Sequence, residues 1–528
     1  MEFLNFVLSA VTLICLSCPL IESARILAIF AFPGKSHFMM TRSLVTELSH
    51  RGHEVTFITG NKFDSSKLEN FTQIAIEPEY DFWKDVQADF GSTNIFELTS
   101  MRLQDFLQML LIIGKTTTDH ALKQPKVQEI INDPDNNKYD LLIVEQFYQE
   151  AFLALGLKYN VPVIAMSTLG YENHMSQQFG VLSPFSFVPH GFLPFDDHMS
   201  FFERMENTFL SLYEDLHREF VYFPIQDELI QKYFSHLPIT IPPVSQMEKN
   251  LSAILLNSHA PLTTTRPTVP GMVFVGGMHI KKVPDQLPED IKHFIETAEH
   301  GVIYFSLGSN VKSSEMPKES REIFLDVFSK LKQRVIWKFE DENIPKLPPN
   351  VMVKKWMPQP DILAHQNVKV FITHGGLFGT QEGVYNAVPM LGMPFYCDQH
   401  LNMNKAVKSG YAISMKFQDI TRESLTHSLN ELLHNPSYKA QVSKVSQVFR
   451  DRPLPAMDTA MYWVDYVIRH KGAIHNRSGG LDLKWYEFYL IDIILFTILM
   501  SLFIVVIAFI GFKKIVHVLG KNNKIKTN

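Results

Sequence analysis

Cysteine is scarce in this chain of 528 residues: there are three, Cys15, Cys18 and Cys397. A disulfide-dense scaffold and a cysteine-rich zinc module are therefore excluded. A basic excess is missing too. The formal net charge is −6, whereas a dedicated nucleic-acid binder carries the opposite sign, so nucleic acid is not an expected partner. Repeats of solenoid period are absent, which excludes a stacked array. With 46% hydrophobic and 20% charged residues, the chain can build packed cores, and wholesale disorder is excluded. Long uncharged apolar runs occur only at the two ends.

The first run, Phe3 to Leu20, is too short and too near the start to favour a spanning helix. It predicts a secretory signal over residues 1–23, with cleavage after Ser23, although Glu2 stands where a basic residue is usual. Cys15 and Cys18 leave with it, so the mature chain keeps Cys397 and forms no internal disulfide. The second run, Ile493 to Phe512, has 20 residues without a charge. That crosses a hydrocarbon core of ~30 Å at ~1.5 Å per residue. A transmembrane helix is predicted over 488–512, with Trp485, Tyr486 and Tyr489 as an interfacial belt. The tail, 513–528, carries Lys513, Lys514, Lys521, Lys524 and Lys526 and no acid. The positive-inside rule puts it in the cytoplasm and the bulk of the chain in the lumen or outside, a single-pass type I arrangement. Sequons at Asn70, Asn250 and Asn476 lie on the luminal side of that topology and are expected glycosylation sites.

Between the ends the pattern is α/β. Arg25 to Phe32 reads as a buried strand ended by Pro33 and Gly34. A loop with Lys35, Ser36 and His37 follows, then a helix stopped by Gly52 in the left-handed role that glycine fills at helix ends. Val55–Thr59, Tyr139–Val144 and Val161–Ala165 read as further strands, with a helix over Ala151–Leu157. From about Gly180 to Phe223 the periodicity breaks down. The run Gly180–Phe195 is aromatic and proline-punctuated, and reads as an irregular buried loop, a wall for an apolar ligand or a membrane-touching surface. A second α/β unit supplies strands Val302–Leu307, Val335–Phe339, Val351–Lys355, Val368–Thr373 and Pro389–Met393. The expectation is two Rossmann-like domains, 24–265 and 266–470, facing a cleft, with a juxtamembrane segment at 471–487. Ligands bind at the carboxyl ends of parallel strands in such sheets.

The densest chemistry runs from Trp356 to Gln399. Strand Val368–Thr373 leads into His374-Gly375-Gly376 and a helix, whose free N–H groups and dipole favour an anion such as a diphosphate. His374 can donate to phosphate, and Glu382, on that helix, can accept from ribose hydroxyls. Trp356 can stack on a planar base and Gln359 can pair with a pyrimidine edge. Asp398 and Gln399 can read sugar hydroxyls.

This stretch resembles the donor signature of the UDP-glycosyltransferase family, the membrane-bound conjugating enzymes of the endoplasmic reticulum. The likeness rests on Trp356, Gln359, His374-Gly375-Gly376, Glu382, Pro389, Pro394 and Asp398-Gln399. It extends to the signal, the Gly34–Phe38 loop, Arg51-Gly52-His53 and the C-terminal span. Leu255-Leu-Asn-Ser-His259 and Gly376-Leu-Phe-Gly379 are more like invertebrate members. The resemblance implies a GT-B fold with acceptor in the N-terminal domain and UDP-sugar in the C-terminal one. It implies uracil on Trp356 and Gln359, ribose on Glu382, diphosphate on Ser309, His374, Gly376 and Gly379, and hexose on Asp398 and Gln399. Phe378 departs from the Asn often found in vertebrate members.

His37 resembles the family's catalytic base, and Glu145 stands where its partner is usually Asp. The reaction so implied moves a hexose, with inversion, from a UDP-sugar to the hydroxyl of a small lipophilic acceptor. Imidazole suits the proton transfer, and a carboxylate behind it stabilises imidazolium. Neither a metal nor another cofactor is expected, since helix amides and His374 can carry the leaving charge and no DxD-type motif stands in a plausible loop. Glucose is expected rather than glucuronate, because glucuronate-using relatives supply an Arg where this chain has Asn257. A non-catalytic, membrane-anchored binder of UDP-sugar or of an apolar ligand is the alternative on the same fold. The tail resembles a dilysine retrieval signal at Lys524 and Lys526, which implies residence in the endoplasmic reticulum membrane. Oligomerisation stays open.

Overall fold

The computed structural model describes residues 23–77, 81, 83–91, 94–96 and 103–525. The expected signal, but for Ser23, and the last tail residues 526–528 lie outside these. The chain falls into two compact units, one up to Arg477 and one from Ser478.

The first unit holds two parallel sheets. Among the described residues the first has seven strands: β1 (Arg25–Phe30), β2 (Glu54–Thr59), β3 (Phe71–Ala75), β4 (Leu141–Glu145), β5 (Val163–Ser167), β6 (Ala253–Leu256) and β7 (Met272–Phe274). Their order is β3-β2-β1-β4-β5-β6-β7. The second has six: β8 (Val302–Ser306), β9 (Arg334–Lys338), β10 (Val351–Lys354), β11 (Val368–Thr373), β12 (Met390–Gly392) and β13 (Ala412–Ser414). Their order is β10-β9-β8-β11-β12-β13. Parallel sheets are covered on both faces, so their inner strands are apolar throughout rather than alternating. In β1, Ile26 and Ala28 pack into a core on one face and Leu27 and Ile29 into a core on the other.

The expected domain boundary moves. Strand β7 belongs to the first sheet, beyond the boundary placed at 265. The helix Ala456–Arg469 also returns to that sheet, where Met461, Val464 and Val467 join the core of Ile26 and Ala28. Burial of each such side chain contributes about 1.5–3 kcal/mol, which holds the crossing in place. The stretch 266–470 is therefore not one domain; both its ends complete the first sheet.

The region read as irregular is half helical. Phe201–His217 is a helix whose start is fixed by a capping box: Ser200 accepts from the Glu203 amide, and Glu203 accepts from the Ser200 amide. A wider π turn, Arg218–Tyr222, carries it into a further helix, Phe223–Phe234. The apolar residues of the first of these helices, Phe202, Met205, Phe209, Leu212 and Leu216, do recur at helical spacing, and their face points outward.

In the second unit a short helix, Trp485–Phe488, precedes a long one, Ile491–Ile525. The stretch Ile491–Leu519, of 29 residues, is long and apolar enough to cross a membrane. It starts three residues after the span expected at 488–512, because the chain turns at Leu490 with φ 56°. It then runs on past Lys513 and Lys514.

In both sheets the strand order reverses beside the first strand, between β1 and β4 and between β8 and β11. Such reversals open a crevice at the carboxyl ends of the strands.

Candidate active site

At the first reversal, β1 leads through Ala31–Gly34 into the helix Lys35–His50. His37 sits in the first turn of this helix, not in the loop expected. Strand β4 ends on Glu145, which is buried. His37 Nδ1 lies 2.5 Å from Glu145 Oε1. Thr168, directly after β5, donates its hydroxyl to the same oxygen at 2.8 Å and lies 2.7 Å from Nδ1. Nδ1 is thus committed to the protein, and Nε2 is the ring nitrogen left for chemistry. The rings of Phe32 and Phe147 flank the imidazole, each with its centroid 4.7 Å away. Asp140, the other acid near this strand, is at its opposite end and pairs with Arg25 at 2.9 Å. His53 is a structural group, accepting from the Ala24 amide at 3.2 Å.

At the second reversal, β11 runs into His374-Gly375-Gly376, and Gly376 caps the helix Leu377–Tyr385. Two glycines make room for the His374 ring. A Cβ on Gly308 would lie 2.6 Å from its Cε1, and one on Gly376 would lie 2.4 Å from its Nε2. Burial, helped by the Lys338 charge, lowers the pKa of His374 to about 4. The ring is neutral at physiological pH, and its Nδ1 has no hydrogen-bond partner in the protein.

Glu382 is buried on the same helix. Its Oε2 accepts from Gln359 Nε2 at 2.6 Å, and its Oε1 faces His279 Nε2 at 3.4 Å. The Gln359 amide is therefore spent on Glu382, which leaves its Oε1 for a base. Phe378 packs against His279, with ring centroids 4.8 Å apart. Trp356 is 62% exposed, a flat apolar surface held in place at the cleft rather than a core residue. Asp398 accepts from Asn402 at 2.7 Å, and burial raises its pKa to about 6. Gln399 uses its Oε1 on the amides of Phe395 and Tyr396, at 2.8 and 3.3 Å, leaving only its Nε2 for a sugar.

These residues converge. A cavity of about 200 Å³ is lined by His37 from the first sheet and by Ser309, Trp356, Gln359, His374, Gly376, Gly379, Glu382, Asp398 and Gln399 from the second. Glu145 stands behind His37, outside the lining. Asn257 also stands outside it, fully buried, donating to the Thr168 carbonyl at 2.9 Å. Of the sequons, Asn70 and Asn250 are exposed, but the Nδ2 of Asn476, the atom a glycan would occupy, is buried.

The sequence of residues 27–527 matches the model of the family described as UDP-glucoronosyl and UDP-glucosyl transferase. The chain belongs to the UDP-glycosyltransferase family. It is 35% identical to UDP-glycosyltransferase UGT5 of Dactylopius coccus, across 93% of this chain and 92% of that one. It is 29% identical to UDP-glucuronosyltransferase 2B15 of Rattus norvegicus, across 88% of each. Among solved structures it resembles a UDP-glucosyltransferase from Polygonum tinctorium, with a TM-score of 0.56 at 15% identity over 85% of this chain and 99% of that one. The fold is GT-B, and the protein is a glycosyltransferase that uses a UDP-sugar donor.

Two groups beside those expected from the family signature belong to this site: Thr168 and His279. Thr168 was visible in principle as the first residue after β5, next to the reversal. His279 follows β7 at a distance no local pattern connects to Glu382.

Proposed function

We propose that this UDP-glycosyltransferase moves glucose, with inversion, onto the hydroxyl of small lipophilic acceptors, with His37 as general base. The observation that carries the reading is the shared cavity, in which a base oriented by Glu145 meets the donor signature. The acceptor O–H gives its proton to His37 Nε2 as the oxygen attacks the anomeric carbon. The bond from that carbon to the diphosphate oxygen breaks, and UDP leaves. Glu145 stabilises the imidazolium so formed, and Thr168 holds the carboxylate in register. The leaving charge falls on the first-turn amides of Leu377–Tyr385 and on His374, with no metal ion assigned a part.

The walls support a lipophilic acceptor, since Phe32 and Phe147 enclose the base. Glucose is supported by the likeness, 34% over 90% of each chain, to UDP-glucosyltransferase 2 of Dactylopius coccus; Asn257, buried outside the cavity, does not bear on the donor. A hexuronate carboxylate would meet Asp398 at the sugar end, which disfavours it unless a cation intervenes. The reading also makes Ile491–Leu519 a membrane anchor, with the catalytic unit in the lumen of the endoplasmic reticulum and the lysine tail as its retrieval signal.

The test is initial rates for the full chain in microsomes, with UDP-glucose and UDP-glucuronate against a panel of phenols and alcohols. Faster turnover with UDP-glucose is expected. A faster rate with UDP-glucuronate overturns the donor, and UDP binding without any product returns the chain to a non-catalytic binder.

A further inference from the structure

The helix Phe201–His217 and its π turn have their polarity reversed. The side facing the protein is polar. Asn207 donates to the carbonyls of Phe185 and Val188 at 2.8 and 2.9 Å and accepts from the His190 amide at 2.7 Å. Glu214 pairs with His190 at 2.8 Å. Arg218 reaches Glu150 and Glu248 at 3.3 and 3.1 Å, all three buried. The outward side is apolar. Phe202, Phe209 and Phe220 are 72%, 67% and 70% exposed, with Met205, Leu212 and Leu216 between them on the same face. A surface helix in water shows the opposite arrangement. Contiguous exposed apolar surface of this kind marks an interaction site.

We propose that this outward face docks on the surface of a phospholipid bilayer. The occupant follows from two observations. The same chain carries a helix long and apolar enough to cross a membrane, which brings a bilayer to the protein; the proposal rests on that anchor reading. The exposed face also has large aromatic and aliphatic side chains and no basic stripe, with Glu206 and Glu219 exposed at its margin. That suits the apolar boundary of a zwitterionic bilayer rather than charge attraction to an anionic one. An amphipathic helix lying in the interface sinks its apolar side ~5–10 Å into the headgroup–acyl boundary. The docked element is also next to the site. His190, which Glu214 holds, is two residues from Phe192, and Phe192 packs on Phe106 and through it on Tyr396 of the cavity wall. Docking would therefore set the acceptor side of the cleft beside the medium in which lipophilic acceptors dissolve.

The experiment uses the full chain reconstituted into phosphatidylcholine vesicles, floated on a gradient and compared with and without brominated acyl chains. A tryptophan is added in Phe209→Trp, or in Val448→Trp as a control at an exposed position, 54%, on a different helix, Pro436–Arg450. Loss of most of the added emission in Phe209→Trp, and little in Val448→Trp, is the expected result. In Phe209→Trp carrying Phe202→Glu and Phe220→Glu as well, the loss should disappear while activity on a water-soluble phenol persists. A chain that fails to float overturns the anchor and the docking together. A chain that floats with equal quenching at 209 and 448 overturns docking alone. Absent quenching with cross-linking of two chains through position 209 assigns the face to a second copy instead.

Discussion

The two sheets have the same winding and place their chemistry at the same reversal, yet they treat polar groups there differently. Beside β1, the working group is already engaged: His37 Nδ1 has Glu145 and Thr168 as neighbours within 2.7 Å. Beside β8, the buried Nδ1 of His374, which lines the cavity, has no hydrogen-bond partner in the protein. A base must have its tautomer and orientation fixed before the proton moves. A binding group gains by being completed by its ligand, since an unpaired buried polar atom costs about 1–3 kcal/mol that a bound donor can recover. The first half is arranged for transfer and the second for capture.

Breaking the first arrangement should have the largest effect. His37→Ala is expected to lower kcat by roughly 10²–10⁴-fold while calorimetric UDP binding stays near wild type. A comparable loss of UDP binding would show that the two halves do not divide the work. Glu145→Gln, which keeps size and removes charge, should lower kcat by at least about tenfold, and Glu145→Asp should retain much more. Equal rates for the Gln, Asp and wild-type proteins would mean that another group orients His37.

Breaking the second arrangement should act on binding. Trp356→Ala removes a stacking surface worth about 1–3 kcal/mol per base, so the UDP dissociation constant should rise accordingly with kcat little changed. Asp398 offers a pH test. Its pKa is raised to about 6, so it is an ionised acceptor above that value and is neutral below it. Affinity for UDP-glucose should fall as pH drops through 6, by no more than ~tenfold per unit for one proton. Asp398→Asn should be weaker at pH 7.5 and flat. A wild-type profile in the Asn variant would exclude Asp398 as the titrating group. The smallest effect is expected for Thr168→Val, a few-fold loss in kcat from one hydrogen bond of ~0.5–1.5 kcal/mol, with UDP affinity unchanged.

Much of this frame was legible before the fold. β11 has both ends as read, and β1, β2, β8 and β9 fall within two residues, because buried parallel strands are short apolar runs between turn residues. The donor residues other than Ser309 were legible because they lie within 44 residues of sequence around one strand–helix junction. β3 and β13 were not, being short edge strands with half-exposed, mixed patterns. In Phe201–His217 the apolar residues do recur at helical spacing, but they directly follow a proline-punctuated aromatic run without period, and the two together do not read as one element. Thr168 and His279 act through contacts that join distant segments, and no spacing records those. Asn476 reads as a sequon like the others, and only burial of its amide separates it from Asn70 and Asn250.

The return of Ala456–Arg469 to the first sheet has a consequence for biosynthesis. Residues up to 275 complete the strands of that sheet, and the helix Lys35–His50 covers β1 and β2 on one face, but the part of that face over β6 and β7 stays uncovered until Met461, Val464 and Val467 have been made. At about 5–20 residues per second, the intervening 194 residues take about 10–40 s. Throughout that interval a nascent chain presents Ala253, Leu255 and Val273 of β6 and β7 without that cover. The N-terminal half is thus a client for chaperones until its last helix emerges, and a ribosome stalled before residue 456 would hold a product that can bind neither water nor its own core well.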